Sequence, residues 1–211
     1  MSIGADLLRF SDRKIIYWDF ESQRINCMDD NLPFECSWIV TQKGNILETH
    51  SYYLGWPGYK MSKEAAFITK FQQHWVDNGE DPDFVLEAFE GYMMDEQFLL
   101  AGTNVLAFDC MLWQLWRRAL GKKNDYSMLP RVIDTHLLAS AYKMGWKPDR
   151  DNLLAWQYKL YNSPQKGIKT SLKVMAKELG IPFDESQLHS ASYDLKINNQ
   201  VGWKLINMME I

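Results

Sequence analysis

Residues 14–21 read Lys-Ile-Ile-Tyr-Trp-Asp-Phe-Glu, a β-prone run that closes on two acids spaced two apart. In a strand, residues i and i+2 point to the same side. Asp19 and Glu21 therefore share one face at the end of an otherwise apolar strand. Two such carboxylates repel each other unless a cation lies between them or one of them holds a proton. Oxygen pairs of this kind suit Mg²⁺ or Mn²⁺. The plain alternative is a strand that has simply ended, with both acids in water.

Working outward, residues 33–43 form a second strand candidate, and Gly44-Asn45 gives a turn into a third over 46–54. Helical periodicity then takes over. Ser62, with Glu64 and Ala65, starts a helix to about Asp77, and Asp81-Pro82 starts another to about Met94. Residues 99–106 return to a strand, and residues 108–120 are an amphipathic helix. Pro130 to Asp134 is a short strand leading into a helix to about Met144. Asn152 to Tyr161 and Thr170 to Leu179 read as helices, the latter stopped by Gly180, and Ala191 to Met209 is the final helix. A meander followed by alternating strands and helices predicts a mixed sheet packed by helices, in an α/β or α+β domain. No repeat, low-complexity tract or linker interrupts the chain, so residues 1–211 are read as a single domain.

Composition narrows the function. The 211 residues are 46% hydrophobic and 24% charged, which excludes a disordered chain, a collagen and a coiled-coil rod. No apolar run approaches the roughly 18 to 20 residues of a membrane span. The opening MSIGADLLRFSDRK lacks a signal-peptide pattern. Three cysteines (Cys27, Cys36, Cys110) make neither a disulfide framework nor a zinc-ligand spacing. The expectation is a reduced, cytoplasmic protein with no membrane partner. With 23 basic and 27 acidic residues, the net charge of -4 argues against a protein that grips long nucleic acid through many phosphates. It suits an enzyme that takes one strand end into a cation-holding cleft.

Two more segments carry chemistry. Leu99-Leu-Ala-Gly-Thr-Asn-Val-Leu-Ala-Phe-Asp109 places Asp109 after an apolar strand, at a helix start, where an acid commonly serves the dipole. In His189-Ser-Ala-Ser-Tyr-Asp194, five residues of continuous helix subtend about 500° and leave His189 and Asp194 about 140° apart. They share a site only if His189 lies in the loop before the helix and Asp194 one turn inside it. Ser190 or Ser192 could then cap that helix.

Together and in this order, Asp19-Phe20-Glu21, Gly102 to Asp109 and His189 to Asp194 resemble the three motifs of the DEDDh 3′–5′ exonucleases, the DnaQ-like proofreading group. Val132-Ile-Asp-Thr135, Ser171 to Ile181 and the stretch 62–104 resemble that family's supporting segments, so the likeness spans about residues 14 to 206. It implies an RNase H-like fold: a mixed five-stranded sheet, strands 1 to 3 antiparallel, flanked by helices. It also implies that Asp19, Glu21, Asp109 and Asp194 bind two divalent cations, Mg²⁺ or Mn²⁺, with His189 as general base. Phe20, Ser22 and Asn104 would lie near the terminal nucleotide. Two positions depart from the pattern: Thr103 stands where the family often has His, and Ser22 where it usually has Thr.

The implied activity releases nucleoside 5′-monophosphates from the 3′ end of single-stranded DNA. RNA is the alternative substrate, and a polymerase or replication protein is a candidate partner. A reading of another class is an inactive interaction module of a replication or repair complex. Four mutually repelling acids have no physical reason to persist in such a copy.

Weaker signals remain. Residues 143–173 hold seven basic residues against two acids, with Trp146, Trp156, Tyr158 and Tyr161 among them. This mix suits a single strand, with phosphates on cations and bases on rings; a solvated loop with core aromatics is the plainer account. Residues 54–60 read as a simple connection, and His50, His74 and His136 as ordinary polar residues. No P-loop, GxSxG or HExxH pattern occurs.

Overall fold

The computed structural model describes residues 13–24, 26–27, 30–149, 152–163, 166–188 and 190–210. Its strands are β1 (Lys14–Ser22), β2 (Pro33–Gln42), β3 (Asn45–Tyr53), β4 (Leu99–Gly102) and β5 (Val132–Asp134). They form one sheet in the order β3-β2-β1-β4-β5. β1, β2 and β3 pair antiparallel, whereas β4 and β5 run parallel to β1 and to each other. This is the mixed five-stranded sheet that the resemblance implies.

Side-chain alternation along β1 assigns its two faces. Ile16, Trp18 and Phe20 enter one core, with Phe89, Trp113 and Trp116 from α3 (Pro82–Met93) and α4 (Asp109–Ala119). Ile15 and Tyr17 enter a second core on the opposite face. That core is built from α5 (Thr135–Met144), α6 (Leu153–Tyr161), α7 (Leu172–Glu178) and α8 (Ala191–Met208). Asp19 and Glu21 continue the second face, beyond the last apolar residue. Each core buries about twenty apolar side chains, and large aromatics dominate the first.

Several boundaries differ from the sequence reading, and three of them do so for a clear local reason. The β2–β3 turn is Lys43-Gly44, one residue earlier than Gly44-Asn45. Both turn residues are left-handed (φ 52° and 77°), as a tight two-residue hairpin demands. A Cβ at Gly44 would also stand 2.8 Å from the Trp203 ring of α8. The helix expected over 62–77 is two, α1 (Lys63–Thr69) and α2 (Gln73–Asp77). Ser62 caps α1 as expected, but Lys70 turns left-handed (φ 55°) and ends it. The break brings Phe71 and Trp75 onto Phe34, at ring distances of 5.0 and 6.3 Å. The strand expected over 99–106 stops at Gly102. Asn104 is left-handed (φ 63°), and the next backbone N–H groups bond a side chain instead of a strand.

Gly102 is required by space. A Cβ there would lie 2.1 Å from Val105 Cγ1 and 2.9 Å from the Trp18 carbonyl oxygen. Gly102→Ala is expected to cost about 1 to 3 kcal/mol, as overpacking does. Thermal melting would show this as a lower Tm, and an unchanged Tm would mean that the 102–105 corner yields freely.

Elsewhere the connections are plain. The Trp56 indole donates to the Pro33 carbonyl (2.7 Å) and the Tyr59 hydroxyl to that of Leu32 (3.0 Å), so the 54–60 loop is tied to the β1–β2 connection. At the sheet's other edge, the Gln157 side chain of α6 accepts from the Asp134 N–H (2.7 Å) and donates to the Val132 carbonyl (2.9 Å). Among the described residues, no helix is long and apolar enough to cross a membrane.

Candidate active site

The site forms where β1, β4 and β5 end, the crevice at which open α/β sheets commonly take ligands. Asp19 and Glu21 project from the last turn-side positions of β1 and are partly buried. Asp109 opens α4 and is 3% exposed. Its Oδ1 accepts the N–H of Phe20 at 3.1 Å, which latches the helix start onto β1 between the two β1 acids. Asp194 lies in the first turn of α8, with its N–H on the Ser190 carbonyl (2.9 Å). Three separate elements thus bring four of the expected carboxylates together.

Their mutual repulsion and burial push their protonation in one direction. Burial raises the Asp19 carboxyl well above its ordinary value, and the charges of Asp109, Glu21, Asp194 and Glu35 push it further. Glu21 is raised in the same way, by burial and then by Glu35, Asp194 and Asp109. Asp109 is pushed up to about 8, chiefly by burial; the Phe20 N–H opposes the rise and Asp134 adds to it. Burial and the same acids raise the thiols of Cys36 and Cys110, so neither is poised as a thiolate ligand or nucleophile.

Hard oxygen donors at this density fit a divalent cation, which would replace their mutual repulsion by attraction. Among the described residues, no three His, Cys, Asp or Glu side chains stand in a ready-made chelating arrangement. The acids are near enough to shift one another's protonation without being drawn onto a common point.

The remaining expected residues fall in different places. His189 lies outside the described residues. The Phe20 ring is buried in the aromatic core, 5.3 Å from Phe89 and 5.8 Å from Trp116, and only its backbone reaches the acids. The Ser22 hydroxyl is buried, donating to the Arg24 carbonyl (2.8 Å) and accepting from Asn31 Nδ2 (3.2 Å). Asn104 is exposed at the left-handed corner after β4. In the basic segment, Lys143 pairs with Glu178 (2.7 Å) and Lys173 with Glu185 (2.6 Å). Those two cations brace the α7 layer.

Two acids were not singled out by sequence. Asp134, 2% exposed, accepts from the N–H groups of Asn104 (2.9 Å), Leu106 (3.1 Å) and His136 (3.0 Å). It thereby holds the loop that delivers Asp109. Glu35 on β2 pairs across strands with Glu21 and is 5% exposed. Burial pushes its carboxyl up to about 7, against the pull of the Ser192 and Ala191 N–H groups and the Ser37 hydroxyl. From Glu35 an open groove of about 480 Å³ runs past Tyr53, Trp75 and Tyr193, with Lys70 and Lys196 on its walls. The signal available in the sequence was an acid embedded in the apolar run Pro33 to Val40; the partner it faces depends on strand register.

No family model and no curated protein matches the chain. Solved structures do. E. coli exonuclease I in complex with a dA16 oligonucleotide superposes with a TM-score of 0.72 at 16% identity, over 94% of this chain and 42% of that one. A product-bound exonuclease I gives 0.70 at 15% identity, over 94% and 44%. An SSB/exonuclease I structure with the inhibitor CFAM gives 0.69 at 15% identity, over 93% and 42%. The chain spans less than half the length of these chains. The likeness establishes the architecture: an α/β domain of RNase H-like fold, its five-stranded mixed sheet covered by helices on both faces.

Proposed function

We propose that the chain is a metal-dependent exonuclease that shortens single-stranded DNA from its 3′ end. The convergence of Asp19, Glu21, Asp109 and Asp194 at the carboxyl ends of the sheet carries this reading. The shared fold supports it, because exonuclease I holds a dA16 oligonucleotide in one of the matching structures. Asp19, Glu21, Asp109 and Asp194 would hold two divalent cations, Mg²⁺ or Mn²⁺. Such ions, when bound, supply Lewis-acid activation of water and neutralise charge at the leaving oxygen.

The chain's own groups do the rest. The Phe20 N–H orients Asp109, Asp134 holds the preceding loop, and the first turn of α8 presents Asp194. His189, five residues before Asp194 in sequence, would take the proton of the attacking water. Only the neutral imidazole can do so. The rate should therefore climb as pH rises through roughly 6 to 7 and level above it, and His189→Ala should flatten the profile. A wild-type profile that is flat from pH 6 to 9 would remove His189 from this role. The groove beside Glu35, with its aromatic faces and two lysines, suits the strand that leads to the site.

The direct test incubates the protein with 5′-labelled DNA and RNA of matched sequence, with Mg²⁺, with Mn²⁺ and with EDTA. A metal-dependent ladder shrinking from the 3′ end of DNA is the expected result. Faster shortening of RNA would reassign the substrate. No shortening of either by folded protein would favour an interaction module.

A further inference from the structure

Glu35 occupies an improbable position for an acid. It sits within Phe34-Glu35-Cys36-Ser37-Trp38, where every residue is buried, and directly across from Glu21. Burying a carboxylate among other carboxylates is unfavourable unless polar groups meet it. Here they come from two elements. The Ser37 hydroxyl of the same strand is 3.4 Å from Oε1, and the first turn of α8 borders Glu35: Ser190 and Ser192 line the same groove, and the N–H groups of Ser192 and Ala191 pull its pKa down.

Those N–H groups belong to a helix end that lacks its own cap. The first N–H groups of any helix have no partner inside it. Ser190 occupies the capping position of α8, yet its side chain makes no capping bond, and its hydroxyl lies 3.3 Å from that of Ser192. The sequence expectation that Ser190 or Ser192 caps this helix is thus not met. Glu35 of β2 lies beside this end across the shared groove, and a carboxylate is the charge that a helix N-terminus favours.

We propose that Glu35 is a positioning residue: by holding the first turn of α8 against β2, it sets where Asp194 stands relative to Asp19 and Glu21. The proposal rests on the exonuclease reading for the role of Asp194. Glu35 works through the helix and is not itself one of the metal-holding acids. Asp194 follows Ser192 by two residues, so loosening the turn displaces it, while Asp19 and Glu21 stay fixed in β1.

Glu35→Gln keeps an acceptor oxygen at the helix start, and Glu35→Ala removes it. Amide hydrogen exchange across residues 190–194, measured in EDTA-treated protein, should rise about tenfold in Glu35→Ala, the size of a lost cap. Glu35→Gln should recover most of that protection. Mn²⁺ affinity, read by calorimetry on the protein alone, should follow the same order, and kcat should fall in Glu35→Ala with little change in KM. Exchange in Glu35→Ala equal to wild type would overturn the proposal, as would a Gln variant no better than Ala. A wild-type protein that binds no Mn²⁺ and shortens no DNA would defeat the exonuclease reading. The exchange comparison uses neither metal nor substrate, so it decides the anchoring role of Glu35 in either case.

Discussion

Asp19→Asn is expected to abolish metal-dependent DNA shortening and, in the same molecule, to raise the Tm of the metal-free protein. Asp19 feels four other carboxylates, Asp109, Glu21, Asp194 and Glu35, more than any other acid of the site. Under the proposed function it is the residue whose charge the cations need most. Losing several kcal/mol of charge stabilisation in the transition state lowers the rate on the order of 10³-fold or more.

Stability moves in the opposite direction. A carboxyl raised in the folded state favours the fold while it stays protonated, and that advantage is lost as pH rises from its unfolded value through its folded one. Asp109 marks the window, from its ordinary 3.8 up to about 8. EDTA-treated wild-type protein should therefore melt lower at pH 8 than at pH 5. Asp19→Asn removes one of the repelling charges and should melt higher than wild type at pH 8, by about 2 to 4 °C for each kcal/mol relieved. Mg²⁺ should raise the Tm of wild type and barely move that of the variant. A variant that melts below wild type in EDTA, or that gains as much from Mg²⁺, would show that these acids do not form one cation-holding cluster.

Asp134→Ala should be the most destabilising single change near the site. Its buried carboxylate satisfies three backbone N–H groups, two from the β4–α4 corner and one at the start of α5. Each buried donor left without a partner costs about 1 to 3 kcal/mol, and removing one side of a buried charged network typically costs about 3 to 5. The expected loss in Tm is about 10 °C. Activity should fall as well, because the freed corner is the one that carries Asp109 to the Phe20 N–H. Asp134→Asn keeps one oxygen but presents an N–H₂ toward one of the former donors, so it should fall between Ala and wild type. A Tm within a degree of wild type in Asp134→Ala would mean that water replaces the carboxylate at no cost.

Much of this arrangement is legible in the sequence because local rules coincide with the fold. The i, i+2 alternation of β1 placed Asp19 and Glu21 on one face, and Ser62, Asp81 and Asn152 all cap the helices they were expected to start. Asp109 and Asp194 are different. Nothing within their own segments says that they meet Asp19, and only the motif order suggested it. Glu35 and Asp134 were passed over because their meaning depends on long-range register. Glu35 faces Glu21 only once the β1–β2 pairing is set, and Asp134 meets Asn104 and Leu106 only once β4 and β5 lie side by side. The hairpin shifted by one residue because Lys43 accepts a left-handed conformation, to which its composition gives no clue.

The glutamine at the border of the sheet has a consequence for the protein's life among other chains. β5 is an outermost strand, and such strands offer unpaired N–H and C=O groups to any passing segment with the same need. Gln157 fills that vacancy with an amide that mimics a neighbouring residue, one oxygen for the Asp134 N–H and one nitrogen for the Val132 carbonyl. With only three residues in β5, this single side chain closes much of the border. Recruitment of a foreign strand is left to the far side of the sheet, where β3 presents Glu48 and a row of exposed residues to water. The two rims therefore differ: one is closed by a side chain, and the other is open, with Ile46 and Leu47 exposed along it beside Glu48.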